Sequence, residues 1–127
     1  MLYAKEARGS IEDVVARVEK ATAENKFGVL GVHNLKEKMA AKGVDFEPEC
    51  RIIEVCNPMQ AKKVLEANME ISNALPCRIS VYEQGGRLFV STIKPTALIG
   101  LFESEDLLPV AQAVEETLMR IIDAATQ

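Results

Sequence analysis

Two strand-like runs, Cys77 to Glu83 and Arg87 to Ile93, are separated only by Gln84, Gly85 and Gly86. A Gly-Gly pair supplies the positive φ angles of a tight hairpin turn, so these runs are read as antiparallel neighbours. That constraint argues against a purely parallel doubly wound sheet, whose strands are joined by crossovers. On a two-residue loop Ile79, Val81, Leu88 and Val90 share one face, and Tyr82 and Phe89 pair across the other. Both faces of the hairpin therefore carry apolar load.

The rest of the chain alternates strand and helix patterns. Leu2 to Ala7 reads as a short edge strand. Ser10 opens a helix, with Asp13 completing a weaker form of the capping box, and Ile11, Val14, Val15, Val18 and Thr22 recur at helical spacing. Val29 to His33 reads as a strand interrupted by Gly31, which marks a bulge or a close backbone approach. Asn34 caps a short helix, Leu35 to Lys42, stopped by Gly43. Cys50 to Cys56 is the next strand. Asn57 is then the N-cap and Pro58 the first residue of a helix running to about Ala67, because a proline there lacks only an N–H that would go unpaired anyway. After a turn closed by Pro76 and the hairpin, a long helix from about Leu107 to Ala125 carries a stripe of Leu107, Ala111, Val114, Leu118, Ile121, Ile122 and Ala125. The fold expected is an α/β (α+β-like) two-layer sandwich over residues 1–127, one domain. Its mixed sheet of about four to five strands has helices packed on it, and its C-terminal hairpin is followed by the long helix.

A chain of 127 residues with 48% apolar composition builds a core without a metal or disulfide staple. The net charge of −4 argues against a general nucleic-acid binder. The run Thr96 to Phe102 is far shorter than the roughly 20 residues a membrane span needs. It either packs under the last helix or covers a partner subunit, and a share in a homodimer interface is the expectation, since two-fold dimers are the commonest assemblies. The N-terminus has no basic stretch followed by an apolar core, and three cysteines is an odd number. Both point to a cytoplasmic protein with reduced thiols.

P-loop, G-x-S-x-G, G-x-G-x-x-G and H-E-x-x-H motifs are absent, and no cofactor is implied. The chemistry that remains centres on the cysteines. Cys50 and Cys56 share a strand face roughly 20 Å apart, too far to bridge. Cys56 and Cys77 meet if their strands are antiparallel neighbours; if the strands are parallel, Cys77 lies near Cys50 instead. Cys56 directly precedes a helix N-cap, where partial positive charge stabilises a thiolate. Against that stands the tendency of free cysteine to behave as a small buried hydrophobe. His33, the one histidine, is read as a hydrogen-bonded structural residue, and with Cys56 and Cys77 it matches no metal-ligand spacing. Glu54, flanked by apolar residues, requires a partner such as Arg78 or Arg51 if it is buried. Whether the chain is an enzyme is left open.

Several segments in order complete the picture: Gly28-Val-Leu after a helix, Gly43-Val44-Asp45-Phe46, Cys56-Asn57-Pro58 before an alanine-containing helix, Leu75-Pro76-Cys77 leading into Val81-Tyr82-Glu83, and a strand ending at Pro95. Together they resemble the domain of unknown function 302 family over roughly residues 2 to 125. The resemblance implies a compact two-layer α/β fold, usually dimeric, with no established activity. Its motifs match at Cys56, Asn57, Pro58, Pro76 and Cys77. The expected function is a small-ligand-binding or thiol-handling protein with a site at Cys56, Asn57 and Cys77. The alternative is a non-catalytic homodimeric structural or interaction module with inert buried cysteines.

Overall fold

The computed structural model describes residues 1–127. The chain runs β1 (Leu2–Ala7), α1 (Ile11–Glu24), β2 (Gly28–Asn34), α2 (Leu35–Ala40), β3 (Cys50–Cys56) and α3 (Pro58–Ala67). A 3-10 turn at Met69–Ala74 then leads to β4 (Cys77–Gln84), β5 (Arg87–Ile93) and α4 (Pro95–Ile99). Two further 3-10 turns, Gly100–Phe102 and Glu105–Leu107, precede α5 (Leu108–Ala125). The strands form one sheet in the order β1-β5-β4-β3-β2.

The expected hairpin is present, with Gly85 at φ 61° and Gly86 at φ 76°. Val81 faces Val90 and Tyr82 faces Phe89, whose rings stack with centroids 5.8 Å apart. Where a mixed sheet was expected, every neighbouring pair is antiparallel. The physical reason lies in the connections. Between β3 and β4 the chain goes out through α3 and comes back through a 3-10 turn, so it re-enters the sheet at the end it left. A parallel neighbour would need a connection that carries the chain to the sheet's opposite end.

One face of the sheet is covered by α1 and α5, which pack side by side. Ser10 Oγ accepts the Asp13 N–H at 3.1 Å, fixing the start of α1 as its sequence predicts. The apolar stripe of α1 then meets Ile53, Val55, Ile79, Val81 and Val90 from the strands and Leu118, Ile121 and Ile122 from α5. Tyr3 Oη donates to Asp123 and Lys5 pairs with Asp123 at 2.8 Å, tying β1 to the end of α5. Gly31 sits at a register shift between Val29 and Gly31, the bulge its position suggested. A Cβ there would stand 3.7 Å from Glu54 Oε1, ordinary contact, so a close approach is not what calls for the glycine.

The run Thr96 to Phe102 takes the first of its two expected forms. It folds into α4 and the following turn, and α4 packs against α5. Ile99 joins a second, smaller apolar cluster with Val64, Ile71, Leu107 and Ala111. Leu101 alone projects outward, 75% exposed. No helix is long and apolar enough to cross a membrane.

Candidate functional site

The second apolar cluster does not close on itself. It surrounds a cavity of about 440 Å³ between α3, the Met69–Ala74 turn, α4, α5 and one end of the sheet. Of its 25 lining residues, 18 are hydrophobic and Arg78 is the sole charged one. Cys56, Asn57 and Cys77 are all in the wall, so the three sequence-predicted site residues come together at one place.

The β3–β4 register explains how. The strands are antiparallel neighbours with Val55 opposite Cys77, while Cys50 sits at the far end opposite Tyr82. The alternative in which Cys77 lies near Cys50 is therefore excluded. Cys56 pairs on its other side with Gly28. Strand alternation gives Cys77 the helix-covered face and Cys56 the opposite one, and the cavity wraps the strand ends so that both residues border it. All three thiols are free.

Asn57 plays the capping part assigned to it. Its Oδ1 accepts the N–H groups of Met59 at 3.0 Å and Gln60 at 3.2 Å, and Pro58 follows at the first helical position. That capping weighs against the thiolate reading of Cys56. A thiolate at a helix N-terminus needs free N–H donors, and here the Asn57 side chain has taken them. Burial instead pushes the Cys56 thiol above its ordinary value. Cys77 is pushed up to about 11, first by burial and then by the neighbouring Cys56, with Arg78 opposing. Burial also raises Cys50, partly offset by a hydrogen bond to Ser80. None of the three is a pre-formed nucleophile.

His33 and Glu54 belong elsewhere. On the sheet face away from the helices, His33 Nε2 lies 2.7 Å from Glu54 Oε1 and His33 Nδ1 2.8 Å from Lys38 Nζ. Arg78 reaches Glu54 Oε2 at 3.8 Å. Hydrogen bonding to His33 holds Glu54 below the usual carboxylate range, against an opposing effect of burial and with help from the charges of His33, Arg78 and Lys38. Of the two partners considered for Glu54, Arg78 is found, whereas Arg51 turns to Glu49 and Glu12. His33 pairs with Ile52, four residues before Cys56, which puts it roughly 13 Å along the strand from that thiol. A Cys56–His33 catalytic pair is out of reach. No group of three or more His, Cys, Asp or Glu side chains could hold a metal ion.

Sequence reasoning missed Gln60, whose Oε1 is buried with no hydrogen-bond partner and which also lines the cavity. An ordinary glutamine in an amphipathic helix gives no signal of that kind. It also missed the cavity-lining role of Leu98, Ile99 and Phe102, because an apolar run reads the same whether it covers a core, a partner or an empty space.

A five-stranded antiparallel sheet backed on one face by two long helices, with an apolar cavity at the sheet's end, defines the class. Within it, the chain belongs to the family described as Domain of unknown function DUF302, whose model matches residues 3–125. It is similar to the crystal structure of an uncharacterized conserved DUF302 protein from Bacillus stearothermophilus, at 31% identity and a TM-score of 0.93. That likeness covers 98% of this chain and 97% of the other. None of the curated proteins matches.

Proposed function

We propose that this chain, as one domain over residues 1–127, binds a small apolar ligand in the cavity beside Cys56, Asn57 and Cys77. The observation that carries this reading is the cavity itself. Its volume of about 440 Å³ falls within the roughly 300–1,000 Å³ of small-molecule sites, and a mostly apolar lining with a few polar groups is the pattern such sites show. Binding is favoured over thiol handling because burial raises every thiol away from the reactive range. The reading includes a cytoplasmic setting, where free thiols stay reduced. Nile red, an uncharged fluorescent dye, tests it. One dye per chain should bind with enhanced fluorescence, and Ala61→Phe, which fills the cavity from α3, should abolish the enhancement. Undiminished binding in that variant would sink the reading.

A second reading, a homodimeric interaction module, has its own support in the face of the sheet that no helix covers. Leu2 and Ile93 stand exposed there as cross-strand partners, and the Tyr82–Phe89 stack lies further along the same face. Apolar side chains of this kind on one sheet face suit a second copy packed face to face. Sedimentation at micromolar concentration distinguishes the states, and a clean monomer counts against this reading.

A further inference from the structure

Arg78 is the one charged residue in the cavity wall, and it stands where the cavity meets solvent. Its side chain is 52% exposed. The Ser80–Ser91 pairing of β4 and β5, continued by two residues, puts Ile93 beside it. Ile93 and Leu101 also line the cavity and are exposed, so they mark its rim together with Arg78. The Cys77 thiol in the same wall feels the Arg78 charge, which opposes the effect of burial there.

The chain holds this guanidinium loosely. Its Nη1 lies 3.5 Å from the Pro76 carbonyl oxygen and its Nη2 3.8 Å from Glu54 Oε2. A well-formed charge-assisted bond is about 2.7–2.9 Å long, so neither contact commits the cation. Glu54 has a nearer partner in His33, whose Nε2 is 2.7 Å from Oε1, and Lys38 Nζ stands 2.8 Å from His33 Nδ1. Two cations, Arg78 and Lys38, thus act on one carboxylate, and a positive charge is left over. No acidic side chain lines the cavity.

Charge and walls together select a ligand. Burial draws an apolar body between Val64, Ile71, Ile99 and Val114. A head fixed to one end of that body emerges at the rim. An anion there meets the loosely held cation while staying partly hydrated, so it escapes the penalty of a fully buried charge. A carboxylate fits best, because its two oxygens match the forked donors of a guanidinium. A cationic head would meet Arg78 as a like charge.

Resting on the reading of this cavity as a ligand site, we propose that its ligand is an amphiphilic monocarboxylate, an aliphatic chain whose carboxylate sits on the Arg78 guanidinium at the cavity rim. The chain supplies affinity, and Arg78 supplies selectivity for the anionic head.

Calorimetric titration with octanoate, octanol and octylamine at neutral pH tests this, on the wild type, Arg78→Gln and Glu54→Gln. An apolar cavity without a head-group site favours octanol, since a charged head prefers water. Wild type should reverse that order and bind octanoate about five-fold or more tightly than octanol, within the span of a hydrogen bond to a charged group, and octylamine most weakly. In Arg78→Gln octanoate should fall below octanol, whose own binding is retained. Glu54→Gln removes the competing carboxylate, so octanoate should bind more tightly and octanol as before. Misfolding cannot produce that gain, so Glu54→Gln decides if Arg78→Gln fails to fold by circular dichroism. Octanol binding wild type as tightly as octanoate, a preference for octanoate that survives in Arg78→Gln, or a Glu54→Gln variant without the gain overturns the head-group assignment while leaving the cavity a ligand site. If none of the three binds wild type, both the assignment and the ligand-site reading fall.

Discussion

The molecule contains two apolar clusters built from the same residue types, and they end differently. Between the sheet and the pair α1 and α5, Val14, Val18, Ile53, Ile79, Val81, Val90, Ile121 and Ile122 reach zero exposure. Around α3 and α4, Val64, Ile71, Ile99, Leu107 and Ala111 are buried to 9% exposure or less, yet all of them except Leu107 border a cavity. The first cluster lies between long regular elements of 14 and 18 residues and the middle of the sheet, so side chains interdigitate from both layers. The second is assembled from a 10-residue helix, a 5-residue helix and 3-10 turns at the sheet's end. Short elements meeting at a rim do not fill the space between them. Regular layers make the stable body, and irregular pieces leave room for a ligand.

That contrast is open to mutation. Ile121→Ala empties volume in the closed core and should cost about 3–5 kcal/mol in a denaturant titration. Ile71→Ala removes the same atoms from a buried side chain that borders the cavity. Most of the cavity penalty is then absent, and the cost should be about 2 kcal/mol. Equal losses would erase the distinction between the two clusters.

Asn57→Ala should cost about 1 kcal/mol through loss of the α3 cap, and it should also weaken binding of an apolar probe because α3 is a cavity wall. A capping loss that leaves binding untouched would detach α3 from the site. Thiol chemistry supplies a further contrast. With its folded value raised to about 11, Cys77 keeps its proton more tightly folded than unfolded. Its contribution to stability is therefore complete below the ordinary thiol range and is lost as pH climbs toward 11. In the folded protein Cys77 should be the slowest of the three thiols to react with iodoacetamide, with a rate still rising above pH 9. Peptide mass spectrometry reads the three sites separately, and early modification of Cys77 would contradict its burial.

Much of this body was legible in the sequence. Period-two and period-3.6 patterns fixed β3 at Cys50–Cys56 and the start of α1 at Ser10, because each is set by local chemistry and by one clear burial face. Strand direction was legible only at the hairpin, where the Gly-Gly turn is itself a local signal. The β3–β4 pairing depended on where a 20-residue excursion re-enters the sheet, information held in tertiary packing, and so the Cys56–Cys77 relation stayed open. The site divides the same way. Asn57 could be read as a cap from Asn-Pro alone, but the environment of Cys56 could not. Proximity to a helix N-terminus suggested a stabilised thiolate, whereas the Asn57 side chain takes the helix N–H groups and burial raises the thiol above its ordinary value. Gln60 carried no signal, since an orphaned acceptor is defined by what fails to surround it.

Methyl-resolved NMR during an octanol titration tests the central claim most directly, because it compares the two clusters in one experiment. The account predicts saturable shifts at Val64, Ile71, Ile99 and Val114, with Val14, Val18 and Ile53 in the closed core nearly still. Shifts confined to Leu2 and Leu30, which are exposed and lie outside the cavity wall, or none at saturating octanol, would contradict it.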